Sequence, residues 1–368
     1  MRGQVSGQEA MWSYLSPEAR VPVTHPIRPI KQLADAARGP LERTFEAMYS
    51  RVGRPSIPPE RLLKAQLLIA LYSVRSDRLF CERLDYDILF RWFLDMRLDE
   101  RSWDHSTFSA NRDRLLAHAV ARQFFDAVVS QARRAGLLSD EHFTVDGTLI
   151  EACASLKSLQ PQTAPAAPPS SSDDDPGNPT VDFHGERRTN APPRSTTDPE
   201  ARLLRKGPGK EAKLCFSGHV LMENRYGVCV DLQIAPATGT AERETALAML
   251  RRQARRGIRP GPLGADKGYH GRDFVRKLRR RRIRPHLAQV MGRHTPGLDG
   301  RPARHASYRL SQRIRKKIEE IFGWLKTSGG LRKTRFRGVA RTQQAAWLVG
   351  AAYNLLRISR LRAPAAAT

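Results

Sequence analysis

The sequence predicts a mixed α/β protein: an all-helical domain over residues 1–137, a sheet-containing domain over 138–330, and a basic helical segment over 331–368 packed on it. Two observations carry the fold class. Apolar residues recur at the helical period as far as Ala135, and just after Gly136 the period drops to two. Charge separates the end of the chain from the rest. Residues 1–250 hold 32 basic and 32 acidic side chains, whereas 251–368 hold 31 and 5, so the whole net charge of +26 lies in the last third. A basic surface segregated in this way is the footprint of a protein that contacts phosphates; the plainer reading is a solubilising tail. A length of 368 residues with 40% hydrophobic side chains is enough for two domains with a sizeable core.

In the helical region, Pro58 and Pro59 open a run in which Leu62, Leu63, Gln66, Leu67 and Ala70 recur near the helical period. Ser76 is placed to start a second helix. Further runs cover 84–96, 108–116 and 120–135, with Asp104-His105-Ser106 as a polar break. In the second domain, Phe143, Val145 and Leu149 alternate with Thr144, Asp146 and Thr148 in a strand. Residues from about 157 to 200 are rich in Pro, Ser and Ala, a composition that buries too little apolar area to order itself, and are expected to form a flexible, disordered insertion. Asp173-Asp174-Asp175 within it reads as a solvated charge run. A β-hairpin is expected over 213–220 and 227–235, turning at Glu223-Asn224-Arg225-Tyr226-Gly227. There follow a helix over 241–256, a strand ending at Gly264-Ala265-Asp266, a basic helix over 272–282, a strand over 283–290, a helix over 311–326 and a last helix over 342–361.

Cys81, Cys153, Cys215 and Cys229 have neither a paired nor a zinc-binding spacing, and are expected to be reduced core thiols of a cytoplasmic protein. The longest apolar stretches, 67–72 and 345–356, fall short of the roughly 20 residues that span a bilayer. The N-terminus shows no charged-then-apolar leader, so neither membrane nor secretion is expected.

Two aspartates stand at strand ends: Asp146 in Thr144-Val145-Asp146-Gly147-Thr148 and Asp266 in Ala265-Asp266-Lys267-Gly268-Tyr269. Carboxylates from separate elements converging beside a basic surface suit a hard divalent cation and phosphodiester chemistry. Either one alone is equally an ordinary turn or capping residue. The helix over 311–326 offers a third group, with Glu319 and Glu320 in competition. At roughly 100° per residue, Ile314, Ile318, Ile321, Phe322 and Leu325 form one apolar stripe, and Arg315, Glu319 and Lys326 fall within about 40° of one another along its border. Glu320 points away, so the geometry prefers Glu319. The structural alternative is that Arg315 and Glu319 form a surface pair and that Lys326 merely complements the helix dipole.

Arg315, Glu319 and Lys326, spaced as an Arg, three residues, a Glu, six residues and a Lys, resemble the signature of bacterial insertion-sequence DDE transposases of the broad insertion sequence 4 and 5 group. The string from Ile318 to Lys326 looks like the insertion sequence 5 type. The two aspartate motifs match where that family carries its first and second catalytic carboxylates, on the first and fourth strands of a ribonuclease H-like fold. One position departs: the family's Tyr three residues before the Arg is Gln312 here, with Tyr308 nearby.

The resemblance implies that Asp146, Asp266 and Glu319 are catalytic and hold two Mg²⁺ ions, for which Mn²⁺ can substitute. It implies hydrolysis at terminal inverted repeats and strand transfer of the freed 3′-hydroxyl into target DNA, with a homodimer pairing two double-stranded ends. Arg315 and Lys326 would hold the phosphate backbone. The run Arg332-Lys333-Thr334-Arg335-Phe336-Arg337 supplies four further DNA-binding cations, Arg332, Lys333, Arg335 and Arg337. The near-neutral helical domain is a candidate reader of end sequence, with a helix-turn-helix-like arrangement between Leu62 and Leu94. Two other classes stay open: a DNA-binding protein or decayed transposase without catalysis, and a ribonuclease H-like nuclease without strand transfer.

Overall fold

The N-terminal half follows its capping residues. Helices run over Pro17–Arg20 (α1), Ile27–Arg38 (α2), Glu42–Ala47 (α3), Pro59–Leu71 (α4), Asp77–Tyr86 (α5), Ile88–Phe93 (α6), His105–Ala117 (α7) and Val120–Arg134 (α8). Ser76 caps α5 by accepting from the Leu79 N–H, and Asp104 caps α7 by accepting from Ser106 and Thr107, which is why the chain breaks and restarts at those polar residues. The computed structural model describes residues 16–50, 52–53, 55–160, 193–205, 209, 211–238, 241–289, 304 and 306–363.

The second half builds one sheet from Phe143–Glu151 (β1), Arg202–Arg205 (β4), Ala212–Glu223 (β5), Val228–Pro236 (β6), Pro262–Ala265 (β7) and Arg284–Leu287 (β8). A separate two-stranded sheet pairs Leu159–Gln160 (β2) with Arg194–Ser195 (β3). The expected hairpin is β5 and β6. On its other side β5 pairs antiparallel with β1, and its first residues pair with β4. β1 then runs parallel to β7, and β7 parallel to β8. β1 is therefore where the sheet changes from antiparallel to parallel pairing.

Helices cover both faces. Ala241–Arg255 (α9) links β6 to β7, and Arg272–Arg280 (α10) links β7 to β8 and packs on it. On the opposite face lie Ala306–Ile314 (α11), Ile318–Lys326 (α12) and Val339–Arg362 (α13). α13 is buried along much of its length, as a helix apolar on most sides must be, because it packs on β6 and also on α2, α4 and α8. The C-terminal segment thus joins the sheet to the N-terminal helices in one continuous apolar core. Its side chains also cover an edge strand: Asn354 accepts from the Cys229 N–H at 2.9 Å and donates to its carbonyl at 2.8 Å, while Gln343 accepts from the Ile234 N–H at 2.6 Å. Trp347 donates to the Leu232 carbonyl at 2.9 Å. Beside this edge Asp231, fully buried, accepts from Arg122 of α8 and from Arg252 and Gln253 of α9.

Two expectations are corrected. The helix expected over 311–326 is interrupted by a 3₁₀ turn at Arg315–Lys317, so a single 100° wheel does not run through it. The insertion begins later and ends sooner than expected: its flanks close on each other through β2 and β3, with Ser195 and Asp198 buried, and β4 joins the main sheet. The remainder, including Asp173-Asp174-Asp175, lies outside the described residues. Cys81, Cys215 and Cys229 are buried free thiols and Cys153 is half-buried. No described helix is long and apolar enough to cross a membrane.

Candidate active site

Parallel pairing sets Thr144 beside Gly264, and Asp146 and Asp266 each follow that pair by two residues. Asp266 lies just past β7 as expected, whereas Asp146, expected at a strand end, lies inside β1, which continues to Glu151 through its pairing with β5. Asp146 Oδ1 accepts from the Gly147 N–H at 2.8 Å, and Asp266 Oδ1 from the Lys267 N–H at 2.6 Å, which orients both carboxyl groups. Asp146 is held up at about 6, chiefly by burial and also by the charges of Asp266 and Glu242, against the opposing Gly147 N–H and Arg315. The two predicted aspartates therefore share one half-buried space, with Arg315 as the cation that acts on it.

Arg315 sits in the 3₁₀ turn between α11 and α12. α12 lies over the face of β1 that carries Asp146: Phe322, Leu325 and Lys326 line a small space with Thr148, Ile150, Gly218 and Val220. Ile318, Ile321 and Leu325 are its buried residues, and Glu319 and Glu320 are both exposed in its first turn. By helical phase Glu319 flanks the buried stripe on the same side as Lys326, while Glu320 lies beyond it, where its charge reaches Tyr353. Glu319 is not among the charges acting most strongly on Asp146. Gln312, at the departing position, donates to the His286 carbonyl at 2.6 Å, and Tyr308 donates to that of Leu287 at 3.0 Å, so both tie α11 to β8.

Three residues of this space were not singled out in the sequence. Glu242, half-buried in the first turn of α9, is raised by burial and by the charge of Asp266. Tyr269 and His219 are buried, and neither the Tyr269 hydroxyl nor the two ring nitrogens of His219 have a hydrogen-bond partner among the described residues. Burial lowers His219 to about 4, which keeps its ring neutral. In the sequence Glu242 is indistinguishable from its neighbour Glu244, and His219 is one position of an alternating strand.

The predicted basic run follows α12. Arg332, Lys333 and Arg337 are exposed, and Lys333 lies 3.7 Å from Glu151. Arg335 is engaged within the fold, 3.5 Å from Asp77 and donating to the Arg75 carbonyl. Arg75, Lys326, Arg332, Lys333 and Arg335 line a cleft of about 410 Å³ with no carboxylate in its wall.

Among the described residues no group of three or more His, Cys, Asp or Glu side chains is gathered closely enough to hold a metal ion. The donor chemistry nevertheless fits a hard divalent cation, which binds through one or two carboxylates and keeps several waters. Asp146, Asp266 and Glu242 offer oxygen donors whose mutual repulsion a dication would relieve.

Residues 15–114 match the family model described as "Transposase domain (DUF772)", and residues 138–355, more than half of the chain, match "Transposase DDE domain". No curated protein matches the chain. Among solved structures, a piggyBac transposase synaptic complex with hairpin DNA is similar at 8% identity and a TM-score of 0.40, over 92% of this chain and 76% of that one. The Mos1 strand transfer complex is similar at 12% identity and a TM-score of 0.22, over 78% and 82%. The two family models carry the assignment: the chain belongs to the transposases with a DDE domain and is a DNA transposase.

Proposed function

We propose that this transposase serves an insertion sequence of the insertion sequence 5 type, cutting DNA at the element's terminal inverted repeats and transferring the freed 3′-hydroxyl into target DNA. The observation that carries this reading is the pair Asp146 and Asp266, each two residues past the paired Thr144 and Gly264 of adjacent parallel strands, in a chain whose net positive charge lies in its last third. The strand sequence β6, β5, β1, β7, β8, with the first pairs antiparallel and the last two parallel, supports a ribonuclease H-like domain. Asp146, Asp266 and Glu319 would hold two Mg²⁺ ions, or Mn²⁺ in their place. Bound there, the ions supply activation of the attacking oxygen and charge stabilisation at the leaving oxygen.

The chain's own residues do the rest. The Gly147 and Lys267 N–H groups orient the aspartates, and Arg315 brings positive charge to the half-buried space where a phosphodiester must approach. Lys326, Arg332, Lys333 and Arg337 extend that charge along one side for the phosphate backbone, and the helical domain over 1–137 reads end sequence. A homodimer pairs two ends, and the protein works in the cytoplasm at the nucleoid.

The test is cleavage and joining of a plasmid carrying the DNA that flanks the chain's gene. Glu319→Gln is expected to lose metal-dependent nicking at the inverted repeats and Glu320→Gln to keep it; equal activity of the two would remove Glu319 from the site. A wild type that binds the ends without cutting is a non-catalytic binder, and one that cuts without joining is a nuclease. Binding to end DNA is also expected to fall steeply with salt. Replacing Arg332 and Lys333 together by Ala should reduce the slope of log K against log salt by about 2, at roughly 0.9 per phosphate contact, and an unchanged slope would place the backbone elsewhere.

A further inference from the structure

Glu242 approaches the strand ends from the face opposite α12. Gly147 alternates with Asp146 along β1, so the two residues face opposite sides of the sheet. A Cβ built on Gly147 would stand 3.5 Å from Glu242 Oε1, and one built on Gly268 would stand 2.8 Å from Glu242 Oε2. One of these glycines directly follows Asp146 and the other lies two residues past Asp266. The absence of a side chain at Gly268 makes room for this carboxylate, whose charge acts together with those of Asp146 and Asp266. Among the described residues no hydrogen bond or ion pair holds the Glu242 carboxylate.

Two buried polar groups without a hydrogen-bond partner among the described residues face the same space. His219 Nδ1 lies 3.2 Å from the Gly147 Cβ position that Glu242 Oε1 also approaches. Tyr269, 1% exposed, stands where the charges of Asp146, Glu242 and Asp266 all act on its hydroxyl. Buried hydroxyl and imidazole groups without partners are uncommon, and here they border three carboxylates that have no ion pair among the described residues.

We propose that Glu242 is a further ligand carboxylate of the divalent-cation site, joining Asp146 and Asp266 from the α9 side of the sheet; this rests on the metal-dependent reading above. The Tyr269 hydroxyl and the His219 ring then face the water that a hard cation retains. Gly268 is required because a side chain there crowds that ligand, and a side chain at Gly147 would press on the His219 ring beside it.

The experiment titrates Mn²⁺ into the full chain and follows the free-ion paramagnetic resonance signal, with melting temperature in chelator as the check on folding. Glu242→Gln is expected to weaken Mn²⁺ binding at least about tenfold, while Glu244→Gln, at an exposed neighbour in the same helical turn, binds like the wild type. Gly268→Ala displaces the carboxylate without removing it and is expected to weaken binding as well; it decides the matter should Glu242→Gln not fold. Wild-type affinity in the Glu242 and Gly268 variants, with binding lost in Asp146→Asn, overturns the proposal and leaves the aspartate site standing. A wild type that binds no Mn²⁺ overturns both.

Discussion

Asp146→Asn is expected to reduce metal-dependent cleavage of end DNA by about 10³-fold or more. Cation stabilisation of the transition state is worth several kcal/mol, and each 1.36 kcal/mol is tenfold in rate. The same change is expected to raise the melting temperature in chelator at pH 7. Asp146 is held at about 6 in the fold against an ordinary value of 3.8, so the native state binds more protons than the unfolded chain between those values. Stability contributed by the protonated form is present below the unfolded value and is lost as pH rises through the folded one. Asn keeps the shape without the charge, so it should recover roughly 1–2 kcal/mol above pH 6 and nothing near pH 3. Added Mn²⁺ should stabilise the wild type and not the variant. Parallel melting curves at pH 5 and pH 8 check this; a variant less stable than the wild type at pH 8 would show that Asp146 is not repelled in the fold.

Asp231→Ala is expected to destabilise the protein by about 3–5 kcal/mol, the usual consequence of leaving a buried charge without its partner. Asp231 accepts from Arg122 at 3.0 Å, from Arg252 at 2.8 Å and from Gln253 at 3.0 Å, and is itself fully buried. Arg122 also pairs with Asp126 at 2.9 Å, and Asp126 with Arg256, so one network ties α8 of the N-terminal helices to α9 behind the sheet. Removing Arg122 as well should cost less than the sum of the two single changes, because the groups share a network. Urea unfolding measures both; a loss under 1 kcal/mol for Asp231→Ala would mean that water reaches the arginines.

The reasons for what was legible lie in particular residues. The strand Phe143–Glu151 announces itself by alternation and the hairpin β5–β6 by its turn residues, while Asp266 stands just past its strand as expected and Asp146 lies inside a strand that runs on to Glu151. The 3₁₀ turn at Arg315–Lys317 is invisible, because Arg and Lys are good helix formers and nothing in the sequence marks a break. A 3₁₀ turn advances about 120° per residue rather than 100°, so the expected alignment of Arg315 with Glu319 and Lys326 does not carry across it. β4 was hidden at the end of a low-complexity stretch. Glu242 lies beside Gly147 and Gly268, far apart in the chain, which only parallel pairing of β1 and β7 brings together.

The side chains that α13 lays along β6 set how copies of this protein can associate. An open edge strand is a template for a neighbouring chain, and here Asn354, Gln343 and Trp347 already occupy the outward groups of Cys229, Leu232 and Ile234. A second copy therefore cannot lengthen the sheet past β6 without first dislodging a helix embedded in the core. Were copies to pair, they would have to meet on other surfaces, and this edge would stay closed to them.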